Sequence, residues 1–199
     1  YTLLDSVIQS ATGFNLNAYT TQKLKNPTGM TGSFIPLGFN NVFYSTARSM
    51  ARFGLLMLGK GKWNGVQVMT DTNYYQQMIE SSQTLNKSYG YLWWLNGKAS
   101  FMVPSLQVVF PGSLIPDAPS DMFSALGKDG QLLNIVPSLN MIWLRMGEST
   151  DNVAVPYLLN NEIWKYINKL PCTSLPVQHL FNQQKSVQLF PNPCMEKVQ

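Results

Sequence analysis

The sequence predicts an α+β fold in which helices cover an antiparallel sheet and a mainly helical region is attached. Helical periodicity dominates residues 1–85, whereas strand patterns follow one another closely from residue 89 to residue 146. A last helical pattern begins at Pro156. Helices and strands are therefore segregated along the chain, which favours this arrangement over a doubly wound parallel sheet, where they would alternate.

Four helices are predicted in the first part of the chain. Residues 1–11 carry one apolar stripe that we expect to be buried, formed by Leu3, Leu4, Val7, Ile8 and Ala11. A second helix covers residues 16–24, and the segment NPTGMTGSF after it is predicted to be a loop. The third begins at an N-cap, Ser45, and ends at Gly59 and Gly61. Thr70 or Asp71 caps the fourth.

The sheet is predicted to begin at Tyr89, where YGYLWWL is aromatic-rich and Asn96-Gly97 is typical of a tight hairpin turn. Four prolines make residues 103–120 a long loop, in which Phe110, Leu114 and Ile115 either rim a substrate pocket or cover the core. The segments MFSAL, LLNIV and MIWLRM follow as an antiparallel meander. A helix from Pro156 to about residue 170 then presents a stripe to the sheet, formed by Leu159, Ile163, Ile167 and Leu170.

Composition excludes several classes of function. Of the 199 residues 45% are hydrophobic and 12% charged, and the net charge of +4 comes from scattered rather than clustered lysines and arginines, so nucleic-acid binding has little support. No apolar run approaches the length of about 18 to 20 residues that spans a bilayer. The only histidine, His179, and two cysteines, Cys172 and Cys194, match no zinc pattern. We expect no metal or other cofactor.

The chain contains no recognisable catalytic nucleophile. It has no Gly-x-Ser-x-Gly elbow, and none of its serines is followed by lysine three positions later. It does contain Gly127-Lys128-Asp129-Gly130-Gln131 between two predicted strands. A short turn of this kind exposes Lys128 at a strand edge, which is also ordinary hairpin chemistry in proteins of every function.

The order of several segments gives this turn a more specific meaning. The segments are LKNPTGM, then STARSMARFGLLMLGKGKWNGVQVM, then YGYLWW at residues 89–94, and finally GKDGQLLNIVPSLNMIWLRMG. In this order they resemble the "PLGM" loop, the following helix and turn, the "YGYGWW" strand and the "GHGGQ" box of the serine β-lactamase and penicillin-binding-protein-like hydrolases. The resemblance covers residues 1–170 and implies that family's fold, with the chain as its C-terminal portion.

The resemblance implies acyl-enzyme hydrolysis of an ester, amide or peptide bond in a small-molecule or peptide substrate. The nucleophilic serine and its lysine, and the Tyr-x-Asn box, would then lie upstream of Tyr1. Only the third box can be carried over: Lys128 would orient the substrate, Gly130 would leave space for it, and the Gln131 N-H would stabilise the oxyanion. Asp129 and Trp93 are candidate substrate contacts. Asp129 departs from the family's small neutral residue, and a carboxylate there disfavours developing negative charge unless it points away or pairs with Lys128.

Two domains are expected: residues 1–170, helical to residue 85 and sheet with its covering helix from residue 86, and a linker with a tail at residues 171–199. The tail segment SVQLFPNPCMEKVQ resembles the start of the C-terminal sorting domain of type IX secretion, which implies the secretion machinery as a partner and an extracytoplasmic location. The alternative function is a catalytically inactive relative of the same fold that acts as a cell-envelope or ligand-binding module.

Overall fold

A computed structural model describes residues 2–148 and 154–170 of the chain. Its first part is helical: α1 spans Thr2–Thr12 and α2 spans Leu16–Thr20. A π-helical segment, Thr21–Lys25, continues α2 into α3, Asn26–Thr28. The predicted loop therefore begins only at Gly29, because the helical run continues through Pro27 and ends where Gly29 takes a left-handed φ of 67°.

A hairpin that was not predicted follows α3. Strand β1, Ser33–Leu37, pairs antiparallel with β2, Asn40–Tyr44, and the pairing of Leu37 with Asn40 leaves Gly38 in a two-residue turn at a φ of 59°. Helix α4, Ala47–Leu58, comes next, and its N-cap is Thr46 rather than the predicted Ser45. Gly59 ends α4 as predicted.

A short hairpin and one more helix complete this region. Strands β3, Lys62–Trp63, and β4, Val66–Gln67, pair antiparallel before α5, Thr72–Met78. The N-cap of α5 is Asp71, whose carboxylate accepts a hydrogen bond from the Tyr74 N-H at 2.8 Å. Of the two predicted N-caps, Thr70 and Asp71, the structure therefore uses Asp71.

The main sheet has four antiparallel strands, which lie in the order β10 (Met141–Arg145), β9 (Gln131–Val136), β8 (Phe123–Gly127) and β5 (Trp94–Leu95). Strand β5 is only Trp94–Leu95, and a separate ribbon pairs β6, Ser100–Phe101, with β7, Phe110–Pro111. The predicted meander is confirmed as β8, Phe123–Gly127, β9, Gln131–Val136, and β10, Met141–Arg145. Helix α6 then spans Tyr157–Ile167.

The sheet separates two buried clusters, because successive side chains of a strand point to opposite faces. One cluster lies between the sheet and α4 and α5, and includes Met57, Tyr75, Trp93, Phe123 and Ile135. The other lies beneath α6 and the long loop, and includes Trp94, Leu114, Ile115, Val136 and Trp164. Helices cover both faces of an antiparallel sheet, so the predicted α+β class is confirmed.

Asn96 does not form the predicted tight hairpin between neighbouring strands, since β5 pairs with β8 rather than with β6. Its buried side chain instead anchors the long loop. The amide nitrogen donates to the carbonyls of Ile115, Ala118 and Pro119 at 2.9 to 3.1 Å, and the amide oxygen accepts from the Ile115 N-H at 2.9 Å. Leu114 and Ile115 are consequently buried at 2% and 1% exposure, as a cover over the core.

The apolar stripe predicted for α1 is wrong, and the stripe predicted for α6 is confirmed only in part. Leu3, Leu4 and Val7 of α1 are 81%, 46% and 59% exposed. Helix α1 packs on α2, and Asp5 joins it to the first hairpin through Asn41 at 2.8 Å. In α6 the fully buried residues are Asn160 and Trp164, both 0% exposed. Of the predicted stripe, Leu159, Ile163 and Ile167 are half-buried and Leu170 is 61% exposed. The sheet-facing stripe of α6 is rotated by one position from the predicted one.

Candidate functional site

The segment Lys128–Gly130 forms a single 3-10 turn that joins β8 to β9, and Gly127 faces Gln131 across the ladder. Asp129 has a φ of 62°, in the left-handed region that aspartate tolerates better than most side chains, and Gly130 follows at a φ of 79°. The sequence therefore folds here into a tight connection at one end of the sheet. The predicted strand-edge turn is confirmed as a turn.

A groove of about 390 Å³ opens beside this turn. Its walls come from β2, α4, the segment before β5, and the adjoining ends of β8, β9 and β10. Aromatic and aliphatic side chains predominate, and four side chains can form hydrogen bonds. The lining residues are Phe43, Met50, Tyr89, Leu92, Trp94, Ala125, Leu126, Gly127, Gln131, Leu132, Leu133, Leu144, Arg145 and Met146. An apolar pocket with few polar groups is the usual form of a small-molecule site.

The groove follows an open part of β8. Strand β5 pairs with β8 at Ser124 and Phe123, and before Trp94 the chain turns back on itself through an isolated bridge between Tyr89 and Trp94. The backbone of β8 from Ala125 to Gly127 therefore borders the groove on the side where β5 would otherwise continue. An open strand edge presents backbone N-H and C=O groups that can bond an extended ligand.

Two side chains fix the turn to the end of β10. Arg145 donates from Nη1 to the Gly130 carbonyl at 2.8 Å and to the Gly147 carbonyl at 3.0 Å, and from Nη2 to the Glu148 carbonyl at 2.5 Å. The Gln131 side chain donates from Nε2 to the Gly147 carbonyl at 2.9 Å, and its Oε1 accepts from the Gly147 N-H at 3.2 Å. The turn is thus bonded through both Gly130 and Gln131.

The charges around the turn are arranged with little pairing. Lys128 and Asp129 are both exposed, and within residues 2–148 and 154–170 the one ion pair joins Lys165 to Glu162 on α6. Asp129 therefore forms no ion pair with Lys128. Arg145 is half-buried and bonds carbonyls rather than carboxylates in the described part of the chain. Burial raises the pKa of Tyr89 in the groove wall, so its phenol stays neutral at physiological pH.

The structure brings some of the predicted site residues to the groove and not others. Gln131 lines it, and Gly130 lies directly before Gln131, whereas Lys128 and Asp129 project from the turn outside the lining. Trp93 is 5% exposed and packs edge-on against Phe123, with ring centres 5.1 Å apart. Its neighbour Trp94 borders the groove instead. The role of Trp93 as a substrate contact stays a prediction. Its burial in the core does not support that role.

Sequence reasoning did not single out Arg145, Tyr89 or Phe43, although all three line the groove. Arg145 ends a predicted strand, and a basic residue at a strand end carries no local signal of a site. Phe43 lies in the hairpin that was not predicted. Tyr89 belongs to the aromatic segment YGYLWWL, where the abundance of aromatic residues obscured which one borders a pocket.

Among the described residues, no cluster of three or more His, Cys, Asp or Glu side chains has the arrangement of a metal site. The expectation that no metal is bound stays a prediction. No helix within the described ranges combines the length and the apolar character needed to cross a membrane. Residues 171–199, with both cysteines, the histidine and the predicted sorting-type tail, lie outside the described part of the chain.

The α+β fold is similar to that of two solved structures, one of them described as a β-lactamase. The structure is similar to a solved structure described as a "putative 6-aminohexanoate-dimer hydrolase from Bacillus anthracis", with a TM-score of 0.59, 22% sequence identity, and coverage of 85% of this chain and 43% of that one. It is also similar to a "putative beta-lactamase from Bacteroides dorei DSM 17855", with a TM-score of 0.51, 14% identity, and coverage of 80% and 54%. The chain therefore spans about half the length of these proteins. No protein-family model and no curated protein matches the sequence.

Proposed function

We propose that the chain forms one wall of the acyl-binding cleft of a serine hydrolase that cleaves an ester, amide or peptide bond through an acyl-enzyme. The nucleophilic serine and its lysine would come from polypeptide outside these 199 residues. In this proposal the Gln131 N-H stabilises the oxyanion, Gly130 leaves room for the reacting carbonyl, and Lys128 orients the substrate from the rim. Asp129 is a secondary contact at the rim.

One observation carries the proposal: the groove along the open edge of β8 ends at the turn 128–130. An acyl group in the groove would place its carbonyl beside the backbone amides of the turn, which is the geometry that oxyanion stabilisation requires. The β-lactamase-like fold and the similarity to a described hydrolase support the same interpretation.

The groove favours an uncharged acyl group. Most of its lining is apolar, and three of the five N-H donors of the Arg145 guanidinium already bond backbone carbonyls. We therefore propose an ester or amide with an apolar acyl portion, in a small molecule or a peptide.

We also propose an extracytoplasmic location, with the secretion machinery as a partner of the tail. The support is the short likeness of residues 186–199 to a sorting domain. Fractionating cells of a type IX-secreting bacterium that make the full-length protein, with and without the residues from 171 onward, tests this. A full-length protein that stays in the cytoplasm, or one whose export does not depend on those residues, would contradict the proposal.

Hydrolysis is tested with the full-length protein and 4-nitrophenyl acetate, together with labelling by a fluorophosphonate probe that reacts with activated serines. We expect turnover and labelling, both lost when the serine of an upstream Ser-x-x-Lys is changed to alanine. A protein that is neither active nor labelled would instead be the inactive ligand-binding relative.

A pair of tryptophan substitutions tests whether the groove holds the substrate. Met146 is 43% exposed and lines the groove, whereas Leu158 is 54% exposed on α6, outside the lining. Met146→Trp should raise the KM for longer acyl esters by about tenfold, because a bulky group narrows an apolar pocket in which each buried methylene contributes about 0.8 kcal/mol. Leu158→Trp, the control, should leave KM within about twofold, as expected of a surface substitution.

A further inference from the structure

One of the hydrogen bonds of Arg145 is made to the peptide group between Gly130 and Gln131. Arg145 Nη1 donates to the Gly130 carbonyl at 2.8 Å. That carbonyl belongs to the same planar peptide as the Gln131 N-H. In a trans peptide the C=O and the N-H point in opposite directions, so a group that holds the carbonyl also sets the direction of the N-H.

We propose that Arg145 is a positioning residue for hydrolysis, which acts through the Gly130-Gln131 peptide; this inference rests on the proposed function. The guanidinium holds the carbonyl end, and the N-H end is thereby directed as the oxyanion donor. A hydrogen bond to a carbonyl also polarises the amide and strengthens its N-H as a donor, since linked hydrogen bonds reinforce one another. Arg145 therefore aligns this donor and strengthens it.

The Gln131 side chain completes the clamp. Its amide forms two hydrogen bonds with Gly147, at 2.9 and 3.2 Å, and shares the Gly147 carbonyl with Arg145. The residue that carries the proposed donor is thus held on both sides: through the carbonyl of the peptide before it and through its own side chain.

The hydrogen bonds made at position 145 require an arginine side chain. Its bonds reach three separate carbonyls, of Gly130, Gly147 and Glu148. A planar guanidinium can serve three acceptors at fixed directions, whereas a lysine ammonium is a single charged point on a flexible stem. Lysine at this position should therefore keep part of the function, and methionine, which has no donor, should keep none of it.

The test uses the full-length protein and compares Arg145→Met and Arg145→Lys with a matched control, Arg48→Met, at an exposed arginine in the first turn of α4. Arg145→Met should lower kcat for 4-nitrophenyl acetate by about 10- to 100-fold, less than the 10²- to 10³-fold lost when an oxyanion donor is removed outright. KM should change by less than about twofold, because the interaction is made with the transition state. Arg145→Lys should restore part of kcat, and Arg48→Met should leave it unchanged.

Two further measurements separate positioning from a general structural role. Added guanidinium ion at low concentration should raise kcat of an Arg145→Ala variant and not that of the Arg48→Met control. A double-mutant cycle of Arg145→Met with Gln131→Leu should be non-additive in kcat, since both side chains act on one peptide and share one acceptor. Gln131→Leu keeps the backbone N-H, so it tests the clamp and not the donor.

The outcomes distinguish the two proposals. An inactive wild-type protein would overturn the proposed function and this inference with it. An active wild type in which Arg145→Met keeps kcat within about twofold, or loses kcat and thermal stability together without rescue by lysine or guanidinium, would overturn the role of Arg145 alone.

Discussion

Gly54 determines how closely α4 approaches the sheet that carries the turn. It is buried in the middle of α4, and a Cβ atom built on it would lie 2.9 Å from Cδ1 of Leu133 and 3.0 Å from Cδ1 of Ile142. Those two residues belong to β9 and β10, and Leu133 also lines the groove. Enlarging residue 54 should therefore push the helix away from the strands next to the candidate site.

The magnitudes follow from these distances. Gly54→Ala gains about 1 kcal/mol of helix propensity, and overpacking of a core costs about 1 to 3 kcal/mol. Because the two clashing atoms are ends of flexible side chains, which need to move by a few tenths of an ångström, we expect a net loss of about 0 to 2 kcal/mol. Gly54→Leu adds three more carbons where no space exists, and should cost more than about 3 kcal/mol.

Urea unfolding of the full-length protein measures these differences, with Ala47→Leu as control at an exposed position of the same helix. The control should stay within about 0.5 kcal/mol of wild type, as surface substitutions usually do. In the active protein, Gly54→Leu should also lower ester turnover, because β9 and β10 would shift. A Gly54→Leu protein as stable as the Ala47→Leu control would refute the close approach of α4 to the sheet.

Three further predictions concern buried polar groups. Burial raises the pKa of Tyr75 from 10.0 to about 12, so its contribution to the free energy of unfolding is complete below pH 10 and is lost between about pH 10 and 12, by up to about 2 to 3 kcal/mol. The free energy of unfolding of Tyr75→Phe should therefore fall less steeply than that of wild type over that pH range, and an equal fall would contradict this. Asn160 is fully buried and donates a hydrogen bond to Asn134 at 2.8 Å. Asn160→Ala should therefore lower the free energy of unfolding, measured by chemical denaturation, by about 2 to 4 kcal/mol, whereas the exposed control Glu162→Ala should lower it by about 0.5 kcal/mol or less. Asn96→Ala removes four hydrogen bonds to the long loop and should increase proteolysis within residues 103–120; unchanged cleavage would exclude the anchoring role.

Local patterns were most informative where one segment decides its own structure. The meander β8 to β10 and the turns at Lys128 and Pro137 follow from short apolar runs separated by Gly, Pro and Asn, which encode strands and tight connections directly. The cap at Asp71 and the end of α4 at Gly59 are equally local. The hairpin of β1 and β2 was missed because Pro36 lies within its first strand and proline argues against strand structure.

The site depended on contacts that no single segment contains. The groove exists because β5 is short and leaves the edge of β8 open from Ala125 to Gly127, a consequence of pairing between strands far apart in sequence. Arg145 reaches Gly130 because Arg145 pairs with Leu132 in the neighbouring strand. Strand register and sheet order set these contacts, and periodicity along one segment does not specify them.

By itself the sequence determined the α+β class, the three strands of the meander and the tight turn at residues 128–130, since each arises from local hydrophobic alternation and turn-forming residues. Only the tertiary structure decided that Trp93 lies in the core while Trp94 borders the groove, that α1 leaves its apolar residues exposed, and that Arg145 holds the turn. The physical reason is that burial and hydrogen-bond partners depend on which elements come together in space, and that choice is made by the whole packed chain.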